Sequence, residues 1–338
     1  MQSTNQDFPQ DYTQYDSQNY EQYIKGYSED LRTSYNRSLK TITNTLKFDG
    51  KIIITGSSWS LNAAKITTDY LKKQINIMYA QSFDETIQLT EKDILIAISY
   101  SGNSEEAATW LKYARRTGTQ IIIITAGEKL QEETYGGKII DLTKNLPSRC
   151  STFTIIGTLL RLFEDANLIE KQIDEVQKTV NYIREQNIKQ ITQEISQKIL
   201  GKIPLIYATT PIKNAAHKLK RLINANAKTT AFFNEIPGAE YYELEGYKTK
   251  NAQFHAIIIS STQDLSRLRK KTTILKNNLQ NQGIDVTELN IKAENLVKQA
   301  TTILLGEYIS YYLALRYKQD PLNDEITQKI KKETGIFI

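Results

Sequence analysis

Three serines and a glycine crowd one short stretch of this chain. The string is Ala97-Ile98-Ser99-Tyr100-Ser101-Gly102-Asn103-Ser104-Glu105-Glu106, set between an aliphatic run and a helical pattern. A helix start presents unsatisfied N–H groups and a partial positive charge, which suit a phosphate dianion. Serine hydroxyls add donors without calling on Lys or Arg, and Gly102 lets the backbone come close. An ordinary capping turn accounts for one or two such hydroxyls, not for three around a glycine. The pattern therefore predicts anion binding by Ser99, Ser101 and Ser104. A second turn, Thr55-Gly56-Ser57-Ser58-Trp59-Ser60, also joins a strand-like run to a helix. Ser60 is the residue it would offer to the same anion, although such turns are common in themselves.

Other chemistry-bearing residues are less distinctive on their own. Glu243 stands among Glu235, Glu240 and Glu245, and a run of acids is ordinarily a solvated face. Arg149 lies at a predicted helix start, where a cation opposes the helix dipole unless an anion is near. Lys331 belongs to a lysine-rich final helix, which by itself reads as a solvated face. With two histidines, His217 and His255, and one cysteine, Cys150, the chain offers no zinc-ligand set, and no metal site or cofactor is expected. A lone cysteine excludes an intramolecular disulfide framework and fits a reducing cytoplasm. The net charge of +5 arises from 43 basic and 38 acidic residues, a mixture that does not argue for nucleic acid. The opening Met-Gln-Ser-Thr-Asn-Gln-Asp has neither the basic start nor the apolar core of a signal peptide. Apolar runs such as Ile121 to Ile124 are too short to span a bilayer, so a cytoplasmic protein is expected.

The elements that must position these residues alternate. Short β-branched runs at Lys51–Thr55, Ile75–Ala80, Asp93–Ile98 and Gln120–Thr125 read as strands, with helices at Ser60–Lys73 and Glu105–Thr117 between them. Continuous apolar strands alternating with amphipathic helices predict parallel sheets covered on both faces. A helical region follows from Thr152 to Leu200, broken near Ala166-Asn167. The alternation then returns, with strands at Ile203–Ala208, Phe254–Ser260 and Asp285–Asn290. Helices are expected at Lys213–Ala225, Gln263–Gln282, Glu294–Arg316 and Asp324–Lys332. Residues 1–22, rich in Gln, Asn, Asp, Ser and Tyr, read as a mobile polar tail ahead of a helix near Ile24–Leu46.

The Ser-Tyr-Ser-Gly-Asn-Ser-Glu-Glu string is similar to the signature of SIS (sugar isomerase) domains. More of the chain resembles one branch, the bifunctional phosphoglucose/phosphomannose isomerases. Pro147-Ser148-Arg149 resembles that branch's Gln-Pro-Arg element. Asn224-Ala225-Asn226-Ala227-Lys228 resembles its Asn-Glu-Asn-Ala-Lys segment. Pro237 to Tyr247 occupies the place of the segment with the catalytic glutamate. Departures are visible too: Ser57-Ser58-Trp59 replaces a glycine-rich turn, and Glu240-Tyr241-Tyr242-Glu243 replaces Asn-His-Asn-Glu. Leu265 stands where a ring-opening histidine is expected.

The resemblance implies an α/β fold of two SIS-type doubly wound parallel-sheet subdomains joined by a long helical connector. The boundaries are 23–170 for the first subdomain, 171–200 for the connector and 201–338 for the second. It implies phosphate contacts from Ser60, Ser99, Ser101 and Ser104, a catalytic base in Glu243, and enediolate stabilisation by Arg149 and by Lys331, with Lys329 and Lys332 as neighbouring alternatives. The implied activity interconverts fructose 6-phosphate with glucose 6-phosphate, mannose 6-phosphate or both, by a metal-free enediolate route in a homodimer. The alternative is a non-catalytic sugar-phosphate-binding protein that has lost the ring-opening histidine. An amino-sugar isomerase is a further class.

Overall fold

A computed structural model of the chain describes residues 13–335 apart from residues 73, 84–86 and 134. The chain forms two compact units, one of residues 26–184 and one of residues 185–336 together with the segment up to Lys25.

In the first unit, β1 (Ile52–Gly56), β2 (Ile77–Ala80), β3 (Ile94–Ser99), β4 (Gln120–Thr125) and β5 (Lys138–Asp141) form one sheet. Every pairing is parallel, in the order β2-β1-β3-β4-β5. Strands β1 and β3 are buried along their whole length, which explains their unbroken aliphatic sequences. On one face, Ile53, Leu95 and Ile123 pack with Trp110, Leu111 and Ala114 of the Glu105–Thr117 helix. The Trp110 indole N–H also donates to the Ser82 carbonyl at 2.8 Å, so its polar atom is satisfied.

In the second unit, β6 (Ile203–Thr209), β7 (Phe232–Ile236), β8 (Phe254–Ser261) and β9 (Asp285–Ile291) are again all parallel, in the order β7-β6-β8-β9. The Asn295–Arg316 helix is buried from Leu296 to Leu315 except at Lys298. It packs against the Lys213–Asn226 and Lys189–Ile199 helices. Its apolar residues thus need no polar face, in keeping with a helix enclosed by its neighbours.

The helical region expected over Thr152–Leu200 is three helices: Thr152–Asp165, Ile173–Glu185 and Lys189–Ile199. The first break falls where Asn167 adopts a left-handed backbone (φ 56°). The polar second half is amphipathic, burying Val176, Val180 and Ile183 in one helix and Ile195 and Ile199 in the next. Strands β5 and β7 were absent from the sequence reading. Both are edge strands of four or five residues, partly exposed, and lack the long apolar run of a central strand.

Of the expected tail, residues 1–12 lie outside the described residues. The rest is tied down: Tyr20 opens the Tyr20–Asn36 helix and is fully buried. Its hydroxyl donates to Glu307 Oε2 at 2.5 Å, while Lys218 Nζ lies 3.1 Å from Glu307 Oε1. Asp16 accepts from the Tyr20 amide at 2.5 Å and from the Tyr311 hydroxyl at 3.1 Å. The tail's polar composition conceals this, because a single tyrosine completes a buried ion pair.

Glu307→Gln leaves Lys218 buried beside a neutral amide, and breaking such a pair costs about 3–5 kcal/mol. Tyr20→Phe is expected to cost less, about 1–3 kcal/mol for an unmade buried hydrogen bond. Urea unfolding of the two variants checks the order. A second expectation concerns His255, buried on β8 with Nε2 2.8 Å from Thr287 Oγ1. Burial, assisted by Lys202, pushes its pKa down from 6.5 to about 4. The unfolded chain then binds a proton that the folded chain refuses, so this residue's contribution to stability declines as pH falls from 6.5 towards 4. Stability curves measured over that range will flatten in His255→Gln.

Candidate functional site

In the order β2-β1-β3, the chain leaves β1 towards one side of the sheet and β3 towards the other. The loops beyond their carboxyl ends therefore part, and the crevice between them is where open α/β sheets bind ligands. The Thr55–Ser60 turn and the Ser99–Ser104 turn are these two loops. A hydrogen bond from the Tyr100 amide to Ser60 Oγ at 3.0 Å joins them.

The serine oxygens each accept a backbone N–H. Ser99 Oγ receives Ser104 N at 3.2 Å, Ser101 Oγ receives Asn103 N at 3.4 Å, and Ser104 Oγ caps its helix by accepting Ala107 N at 3.2 Å. Capping and anion binding are compatible, because a hydroxyl accepts and donates at once. Ser104 is the exception in this state, since its proton goes to Glu106 Oε2 at 3.0 Å. Ser60, Ser99 and Ser104 are buried, whereas Ser101 is exposed. Gly102 has φ 74°, and a Cβ there would stand 3.0 Å from the backbone of Gly127, so the loops after β3 and β4 pack main chain to main chain.

Tyr100 is a residue that the sequence reading passed over. Its hydroxyl donates to the Thr143 carbonyl at 2.7 Å and accepts the Leu146 amide at 2.8 Å. One phenol thereby fastens the Thr143–Leu146 segment to the serine loop. Between them lies a cavity of about 360 Å³ lined by Tyr100, Ser101, Gly127, Lys144, Leu146 and Ser148 among others. Arg149 follows directly in a 3₁₀ turn, Ser148–Cys150, ahead of the Thr152–Asp165 helix, and is 4% exposed. The phenol's double role as donor and acceptor leaves no periodic trace in a sequence.

The other predicted residues lie in the second unit. Glu243 begins a single helical turn, Glu243–Gly246, and is half-buried. It is no solvated acid: Tyr207 donates to Oε2 at 2.5 Å and Asn234 to Oε1 at 2.5 Å. Its neighbours differ, for Glu245 pairs with Lys248 on the surface and Glu240 with Lys271 at 2.5 Å. Lys271 holds the Glu240 carboxyl below its usual range despite the opposing effect of burial. Lys331 sits on the Glu325–Thr334 helix, none of whose residues is buried. Leu265 is 78% exposed at the start of the Ser266–Asn281 helix. His217 stacks on Phe233 with ring centres 4.7 Å apart, and His255 lies near the amino end of β8, away from the carboxyl-end loops. Among the described residues, no group of three or more His, Cys, Asp or Glu side chains could hold a metal ion. No helix among them is long and apolar enough to cross a membrane.

Residues 46–158 match the family model for the SIS domain, and residues 188–334 match that for the bacterial phospho-glucose isomerase C-terminal SIS domain. The chain belongs to the SIS domain family. Curated relatives that match most of its length are named bifunctional phosphoglucose/phosphomannose isomerases. A protein of that name from Caldicellulosiruptor bescii is 28% identical over 289 residues, covering 80% of this chain and 85% of its own. A D-glucosamine-6-phosphate 4-epimerase from Sulfolobus acidocaldarius is 30% identical over 183 residues, 52% of this chain and 58% of its own. Among solved structures, a hypothetical protein from Thermus thermophilus superposes with a TM-score of 0.70 at 12% identity, covering 94% of this chain and 90% of its own. That likeness supports the fold of two parallel sheets.

Ser101 is the exposed member of the serine set, so its loss tests anion binding with little effect on packing. Ser101→Ala is expected to weaken inorganic phosphate binding about tenfold, as befits one hydrogen bond to a charged group. Amide-shift titration with phosphate measures this, and an unchanged melting temperature confirms that the fold is retained.

Proposed function

We propose that this SIS protein is an aldose–ketose isomerase that interconverts fructose 6-phosphate with glucose 6-phosphate, mannose 6-phosphate or both. The observation that carries the reading is the serine cradle at the carboxyl ends of β1 and β3, with its amides and hydroxyls gathered around one helix start. It suits the phosphate that all three sugars share. Relatives that match 80% and 88% of this chain are named phosphoglucose/phosphomannose isomerases, whereas the epimerase matches 52% of it.

In this reading Ser60, Ser99, Ser101 and Ser104 bind the phosphate, contributing binding energy remote from the reacting carbons. Glu243 removes the proton from C2 and returns it to C1, which leaves the reaction balanced without any external oxidant. Arg149 and Lys331 stabilise the enediolate oxygen as charge develops there. Proton transfer of this kind requires no cofactor. A homodimer in the cytoplasm, as the resemblance implies, belongs to the same proposal. A second reading, a sugar-phosphate-binding protein without activity, draws support from Leu265, an exposed aliphatic side chain at the expected place of the ring-opening histidine.

The two readings separate in proton NMR of glucose 6-phosphate and mannose 6-phosphate incubated in D₂O. The wild type is expected to incorporate deuterium and form fructose 6-phosphate, and Glu243→Gln to do neither. Sugars that bind but remain unchanged with the wild type would leave the binding protein as the better account.

A further inference from the structure

We infer that Tyr207 and Asn234 are positioning residues that fix the Glu243 carboxylate at both oxygens for proton transfer. The inference rests on the proposed reading of Glu243 as the base. Tyr207 on β6 and Asn234 on β7 are register partners in adjacent parallel strands. Paired positions project to the same face of a sheet, so the two side chains form a fixed pair of donors. Each takes a different carboxylate oxygen, at 2.5 Å in both cases. These are short, as hydrogen bonds to an ionised acceptor are.

Both donors are themselves held. Asn234 Oδ1 accepts the Glu235 amide at 2.8 Å, so its Nδ2 must face Glu243, and that nitrogen also donates to the Tyr242 hydroxyl at 2.9 Å. Tyr207 is buried, and its oxygen lies 2.8 Å from the Tyr247 hydroxyl. Tyr247 sits 3.3 Å from Glu243 Oε2. It therefore backs Tyr207 more than it holds the carboxylate. In a chain from Tyr247 O–H to Tyr207 O–H to Glu243, the Tyr207 hydroxyl accepts one hydrogen bond and donates another. Burial, together with Tyr247 and Glu243, raises the Tyr207 phenol far above its ordinary pKa. The phenol keeps its proton throughout, so it orients the carboxylate and is not the acid or base of the reaction.

Loss of one donor lets the carboxylate turn about its last bond, and a small misplacement of a reacting group is costly in rate. In fructose 6-phosphate turnover, Tyr207→Phe is expected to lower kcat about 10- to 100-fold with KM unchanged. Asn234→Ala should do the same, and Tyr247→Phe should have a smaller effect. With fructose 6-phosphate deuterated at C1, the isotope effect on kcat should rise in Tyr207→Phe, because proton transfer becomes more fully rate-limiting. A structural role alone would lower the melting temperature without this split. Unchanged kcat in both folded Tyr207→Phe and Asn234→Ala overturns the inference, provided Glu243→Gln is inactive. If Glu243→Gln retains wild-type turnover, or the wild type shows none, the base reading falls and the positioning role falls with it.

Discussion

The position of the candidate anion site follows from the reversal of strand order at β1 and β3. Parallel strands share one carboxyl end, so every loop that can reach a ligand leaves the sheet there. Neighbouring loops that run the same way cover one another, but those after β1 and β3 run apart. The start of the Glu105–Thr117 helix lies at this crevice, and a hydrogen bond from the Tyr100 amide to Ser60 ties the two sides. The same reversal recurs at β6 and β8 in the second unit. There the groups singled out for chemistry lie beside β7 rather than at the reversal itself.

Each unit uses a tyrosine to fasten a segment of the candidate site. In the first, the Tyr100 phenol joins the serine loop to the segment before Arg149 by accepting one main-chain bond and donating another. In the second, Tyr207 reaches from the sheet to a side chain on a one-turn helix that is too short to hold it unaided. A phenol suits this work, since its rigid ring fills space while its single oxygen both gives and takes a hydrogen bond. Serine does the corresponding work at shorter range in the anion loop.

The sheets were legible because a strand buried on both faces must be aliphatic throughout, as in Ile52–Ile54 and Ile121–Ile124. The serine loop was legible because a helix start, a glycine and three hydroxyls fall within six residues. Edge strands such as β7 escaped, since partial exposure lets Asn234 and Glu235 interrupt the apolar pattern. The surroundings of Glu243 escaped for another reason. Its donors are 36 and 9 residues away, and only the register of β6 against β7 brings them together. Tyr20 was read as tail because its partner Glu307 is 287 residues distant. Local composition carries no trace of a contact that long.

Tyr20 also determines what counts as a complete second unit. A gene fragment starting at residue 185 would encode all of β6 to β9 and the helices around them, yet lack the hydroxyl that meets Glu307 beside Lys218. The cleft vacated by the Tyr20–Ile24 turn would expose part of the Asn295–Arg316 helix, where Tyr311 now stacks on Tyr20 with ring centres 6.0 Å apart. A faithful subclone would therefore have to splice the amino-terminal segment onto residue 185 through a linker. The unit is continuous in space but interrupted in the gene.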